Sequence, residues 1–396
     1  MNIRSNYNHT LLASYTGFIT QAIINNFAPL LFITFQTNYQ ISLEKITFLV
    51  TANFGIQLLV DLLAILFVDK IGYRISIVSA HLFAAVGLFG LGLFPQLFTD
   101  PYGGLLLAVF CYAIGGGLIE VLVSPIVEAC PTKNKAGNMS LLHSFYCWGS
   151  VFVILGSTIF FTLAGVKNWK LLALIWAVVP MLNAVYFSQV PLAPLVEKDE
   201  RMSLSAMFNT KVFWLFILLM ICAGASEQAM SQWASAFAES GLGVSKTIGD
   251  LAGPGFFAVL MGLARVFYAR ISEKYNLMKF MLASSVLCII SYLLAAFSSL
   301  PLLSLLGCAL CGLSVGIFWP GTLSIATRNC PKGGSALFAM LALAGDVGCS
   351  AGPTLVGMVS AAFGNNLKIG LAAAFIFPFL MFTGVAFSIK NKAKPY

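Results

Sequence analysis

Residues 103–128 read GGLLLAVFCYAIGGGLIEVLVSPIVE. No residue from Gly103 to Ile119 is charged. A single carboxylate, Glu120, then stands inside the run, which continues apolar as far as Glu128. About 20 apolar residues are enough for one helical crossing of a bilayer. A helix satisfies its own backbone groups in lipid, so it is the form such a run takes. Working outward, five more runs of this kind make up a first half, at 11–35, 47–68, 75–97, 139–164 and 169–190. Six others follow at 212–236, 248–270, 278–298, 301–327, 335–362 and 369–389. The runs lack the alternation, about 10 residues per strand, of an outer-membrane barrel. The expected fold is an all-α membrane protein of twelve transmembrane helices.

Composition agrees with this. Hydrophobic residues make up 59% of the chain and charged residues 9%, against roughly 25% charged in a soluble domain. The net charge of +8 would suit a nucleic-acid binder. The cations, however, lie in short loops and tails, where they set topology, so no nucleic-acid partner is expected. With both termini inside, the inner set includes Arg4, Lys70, Arg74, Lys133, Lys135, Lys274, Lys390 and Lys392. The outer set is only Lys45, Lys167, Lys170, Lys246 and Lys368. This imbalance predicts cytoplasmic termini. The nine Cys lie mostly inside apolar runs. Cys308 and Cys311 have CxxC spacing, but no second pair or His completes a metal site, so neither metal nor cofactor is expected. Met1–Thr10 is polar and the first run is long enough to span, so no cleaved leader is expected.

The halves repeat at an offset of about 200 residues. Val68-Asp69-Lys70-Ile71-Gly72 parallels Ser272-Glu273-Lys274-Tyr275-Asn276, and Ala129-Cys130-Pro131 parallels Asn329-Cys330-Pro331. Gly116 and Ser124 match Gly316 and Ser324. Parallel six-helix repeats imply two duplicated halves, 1–190 and 211–396, joined by a polar linker at 191–210.

Phe67-Val68-Asp69-Lys70-Ile71-Gly72-Tyr73-Arg74 resembles the signature loop of the major facilitator superfamily, with Tyr73 where a basic residue is common. Gly115–Glu120, Ser124-Pro125 and Asn138–Gly149 resemble the fucose-permease-like sugar carriers. There Ser124 replaces an Asn, and Asn25-Asn26-Phe27-Ala28-Pro29 lacks that group's first-helix Asp. The resemblance implies a monomeric proton symporter of a sugar, with Glu120 in proton coupling. It also implies that the first, fourth, seventh and tenth helices face a central cavity.

An ionisable group in hydrocarbon must pair, face water or become neutral. Six stand inside the runs: Asp61, Glu120, His143, Glu227, Arg265 and Asp346. Glu120 follows three glycines that permit close helix approach. It reads as a proton carrier, with Asp346 as a second candidate, or as a structural carboxylate. Gln21 and Asn25 are one turn apart on one helix face, followed by Asn26. Glu227, Gln228, Gln232 and Trp233 line successive turns of the seventh run. Amides beside an indole suit a polyhydroxylated solute, though they also bond helix to helix. Arg265 stays charged. It either pairs with Asp61, Asp346 or Glu227, or binds an anionic substrate. His143 and Tyr146 lie one turn apart near the start of the fifth run as further substrate-contact candidates, and His143 can relay protons or be structural. Trp319-Pro320 interrupts the tenth run as a kink, and Trp319 is a further substrate-contact candidate. Asp69, Lys70 and Arg74 form a gate or simply signal topology.

The reading is a secondary carrier in the cell inner (plasma) membrane, moving a small polar solute with protons. The rivals are an organic-anion carrier using Arg265, a multidrug-type exporter, a receptor on the same fold and a membrane enzyme. The chain has no HExxH and no phosphate-binding loop, and Gly312-Leu313-Ser314-Val315-Gly316 lies inside a run without the turn that GxSxG needs. The chain is therefore not expected to be an enzyme.

Overall fold

The computed structural model describes residues 3–132, 135–193, 208–271, 276–329 and 334–392. The side chain of Asp69 and most of the 191–210 linker lie outside the described residues. Among the described residues, twelve helices are long and apolar enough to cross a membrane. In order they are Tyr7–Tyr39, Leu43–Ala64, Tyr73–Leu97, Pro101–Ala129, Leu141–Ala164, Val166–Gln189, Val212–Gly241, Lys246–Tyr268, Leu277–Phe297, Pro301–Ala326, Met340–Ala362 and Leu367–Lys390. Each apolar run of the sequence finds one of them. Several begin a turn earlier than hydropathy suggests, because polar residues cap them. Asn6 accepts from Asn8 N at 3.0 Å, and Ser42 accepts from Lys45 N at 3.4 Å. Such caps satisfy backbone donors that a helix start leaves open. The chain divides into two compact units, Met1–Glu197 and Lys198–Tyr396, with six spans in each.

One residue separates the second helix, Leu43–Ile71, from Tyr73–Leu97. It is Gly72, at φ +93°. A residue with a Cβ is strained at that φ, so the turn itself explains the glycine of the signature loop.

Proline breaks four spans. Pro has no N–H for the carbonyl four residues earlier. Pro29, Pro254, Pro320 and Pro378 deny a bond to Asn25, Asp250, Gly316 and Ala374. The first span passes from helix Tyr7–Asn26 through a tight turn, Ala28–Leu31, into helix Phe32–Tyr39. The eighth widens into a π turn at Leu251–Gly255. The tenth is helix Pro301–Val315 followed by helix Phe318–Asn329, and the twelfth breaks at Phe375. The interruption of the tenth thus falls at Gly316–Ile317, one turn before the proline that causes it.

Glycines set the closest helix seams. In the first unit, a Cβ at Gly115 would meet the Ala84 N at 2.5 Å and the Ala80 carbonyl at 2.6 Å, both on the third span. In the second unit, Gly224 of the seventh span meets the backbone of Gly345 in the eleventh. Gly348 and Gly352 of the eleventh meet Ile221 and Ala225. Small residues let backbones approach where lipid supplies no hydrophobic drive between helices.

Candidate functional site

In the first unit, side chains of the first, second and fourth spans meet in one hydrogen-bonded cluster. Gln21 Nε2 donates to Gln57 Oε1 at 2.8 Å and to Glu120 Oε2 at 3.1 Å. Gln57 Nε2 donates to Asn25 Oδ1 at 3.1 Å and to Asn53 Oδ1 at 2.9 Å. Asn53 Nδ2 completes the triangle, donating to Asn25 Oδ1 at 3.2 Å. A carboxylate oxygen of Asp61 lies within 4.8 Å of one of Glu120. The glycines before Glu120 make room for this cluster. A Cβ at Gly116 would stand 3.1 Å from Gln21 Oε1, and one at Gly117 would stand 3.1 Å from Asp61 Oδ1. Asn26 points elsewhere, donating to the Ala22 carbonyl at 2.9 Å and to Ser150 Oγ of the fifth span at 3.1 Å.

In the second unit, Glu227 meets a fixed cation. Arg265 Nη2 lies 3.8 Å from Glu227 Oε2, with 21% and 11% of the two side chains accessible. Gln228 Nε2 reaches Glu227 Oε1 at 3.4 Å. Gln232 Nε2 and Ser231 Oγ donate to Gln228 Oε1 at 3.0 and 3.3 Å. Of the three partners the sequence offered for Arg265, this pairing supplies Glu227. The Trp319 ring lies on Gly345 of the eleventh span, next to the buried Asp346. Trp233 also bonds to the eleventh span. Its ring has no exposure, and its N–H donates to the Pro353 carbonyl at 2.9 Å. A buried indole N–H needs an acceptor, and the eleventh span provides one.

The family model of the Major Facilitator Superfamily matches residues 13–353. The chain belongs to that superfamily. It is therefore a multi-pass membrane transporter and not an enzyme. None of the curated proteins matches it by sequence. Among solved structures, the chain is similar to the fucose:proton symporter of E. coli, at 17% identity and TM-score 0.65, covering 95% of this chain and 98% of that one. It is similar to a D-xylose-proton symporter at 14% identity and TM-score 0.76, covering 96% of each chain. It is also similar to a nucleoside transporter at 14% identity and TM-score 0.74, covering 98% of this chain and all of the other. At these identities the likeness concerns the fold.

The other predicted residues of this superfamily member are spread more widely. His143 is exposed, with its ring 5.4 Å from that of Phe18. The Tyr146 carbonyl accepts from Ser150 Oγ at 3.0 Å, while its side chain is half-buried. Lys70 is exposed. Arg74 Nη1 caps the end of the sixth span, donating to the carbonyls of Phe187 and Ser188 at 2.9 and 3.0 Å. Its charge meets the negative end of that helix.

Sequence reasoning missed several residues. Asn53 and Gln57 stand four apart on one helix face with Asp61. That stripe of polar residues at i, i+4 and i+8 in an apolar run is the signal that could have found them. His81 is fully buried. Its Nδ1 lies 2.8 Å from the Ile77 carbonyl, and its Nε2 lies 2.8 Å from Asn183 Nδ2, which also donates to the Ala13 carbonyl at 3.0 Å. With the proton on Nδ1, every one of these contacts has a donor and an acceptor. His81 thereby ties the first, third and sixth spans together. Asp250, also buried, pairs with Lys246 at 3.0 Å and accepts from Ser235 Oγ, closing the turn between the seventh and eighth spans.

Proposed function

We propose that the chain carries a small, neutral, polyhydroxylated solute, a sugar or a sugar-like polyol, across the inner membrane together with protons. Both termini lie in the cytoplasm in this reading, and the site is exposed alternately to the two sides of the membrane. Glu120 takes up a proton on one side and gives it up on the other. Protonation biases the equilibrium between the two access states, as coupling requires.

The observation that carries the reading is the first-unit cluster, in which Glu120 meets amides and a second carboxylate. Two like charges at that spacing repel, so the pair has room for one shared proton. Amides supply donors and acceptors for hydroxyl groups. They argue against a multidrug exporter, which needs a wide apolar cavity. The Arg265–Glu227 contact argues against an organic anion, because the cation such a substrate would need already faces a carboxylate. The similar structures named for fucose:proton and D-xylose-proton symport support the same class.

The test begins with thermal-shift screening of the purified chain against sugars, polyols, nucleosides, amino acids and organic acids. Uptake of each hit is then measured in liposomes with and without an inward proton gradient. Gradient-driven accumulation of a neutral hydroxylated solute is the expected result. Accumulation of an anion alone, or uptake indifferent to the gradient, would overturn the reading.

A further inference from the structure

The amide orientations around Glu120 are interlocked. A primary amide donates only from nitrogen and accepts only at oxygen. Gln57 Nε2 faces two amide oxygens, Asn25 Oδ1 and Asn53 Oδ1. With Asn25 and Asn53 oriented as they stand, turning Gln57 over would set oxygen against both, so its Oε1 faces Gln21. Gln21 is then held with its nitrogen toward Gln57 Oε1 and the Glu120 carboxylate. Its own oxygen is left without a hydrogen-bond partner, although the residue is only 3% exposed. A buried acceptor without a donor is costly. The orientation persists because reversing Gln21 would oppose its oxygen to Gln57 Oε1 as well as to the carboxylate.

From this geometry we propose that Gln57 is a positioning residue that sets the proton affinity of Glu120 through Gln21. The Gln21 donor stabilises ionised Glu120, since hydrogen bonding to a charged form favours that form. A protonated Glu120 keeps an oxygen for that donor but accepts more weakly than the carboxylate does, so the Gln21 orientation that Gln57 enforces favours the ionised form. Gln57 therefore works against proton uptake, and Asn25 and Asn53 hold it in place. Within the first unit, the carboxyl and imidazole groups on the spans packed around Glu120 include these. Asp61 of the second span is within 4.8 Å. His81 of the third is bonded to Ile77 and close to Asn183. His143 of the fifth lies against Phe18. The Gln57 amide itself is bonded to Gln21, Asn25 and Asn53, so replacing Gln57 perturbs the relay directly.

The inference rests on Glu120 being the coupling group, and the test separates the two claims without needing a substrate. The full chain in liposomes is titrated with pH while infrared difference spectra follow the carboxylic-acid C=O band. The band lost in Glu120→Gln marks Glu120. Gln57→Met, close in length but without the amide, should move the midpoint of that band to higher pH by about one unit, the size expected for freeing one charge-assisted hydrogen bond. Asn53→Leu, which only loosens Gln57, should move it the same way by less, and it serves as the second variant should Gln57→Met not fold. A Glu120 band that stays at its original midpoint in Gln57→Met and Asn53→Leu overturns the relay and leaves the coupling reading standing. A spectrum in which Glu120→Gln removes no titrating band overturns the coupling reading and the relay with it.

Discussion

The two units hold carboxylates of opposite circumstance. Glu120 in the first meets a neutral amide donor and lies near the like-charged Asp61. Glu227 in the second meets the guanidinium of Arg265. An opposite charge nearby favours the charged form of a carboxylate, and a like charge disfavours it. In our account the first unit supplies the group that changes state and the second supplies a fixed pair.

The comparison breaks most visibly on stability. Arg265→Ala should destabilise the protein by about 3–5 kcal/mol, since it leaves a largely buried charge unmatched. Glu120→Gln keeps an acceptor for Gln21 and should cost no more than about 1 kcal/mol. Thermal melting of the two variants in one detergent checks the contrast. Equal losses would mean that Glu120, too, is held as a fixed charge. A smaller effect sharpens the picture of the first unit. Asp61→Asn removes the repelling neighbour of Glu120 and should move the pH dependence of transport to lower pH by about one unit. A profile that does not move would separate Asp61 from the coupling group. Smallest is Trp233→Phe, which loses one hydrogen bond to the Pro353 carbonyl. It should cost about 1 kcal/mol of stability and leave substrate affinity unchanged in a binding titration. A changed affinity would return Trp233 to the site.

The spans were legible in the sequence because lipid imposes length and apolarity on every crossing. The glycines at 115–117 were legible for the same reason, since helix approach in a membrane selects small residues. What escaped depends on which way a helix faces. Asn53 and Gln57 look like stray amides until the second span is placed against the first. Trp233 lies one residue from Gln232, and its N–H reaches the Pro353 carbonyl. The tenth-span break is written as Pro320, but its effect falls four residues earlier, at Gly316. Asp250 hid in the first turns of the eighth span, where an acidic residue reads as an ordinary helix start. Only the fold brings Ser235 to it.

The account stands on Glu120 as the group that couples the proton gradient to transport. The direct measurement uses purified protein in liposomes with the solute found by screening. It compares wild type with Glu120→Gln for accumulation under an inward proton gradient and for exchange without one. The account predicts that Glu120→Gln still exchanges solute but no longer accumulates it. Accumulation equal to wild type with Gln at position 120 would contradict it.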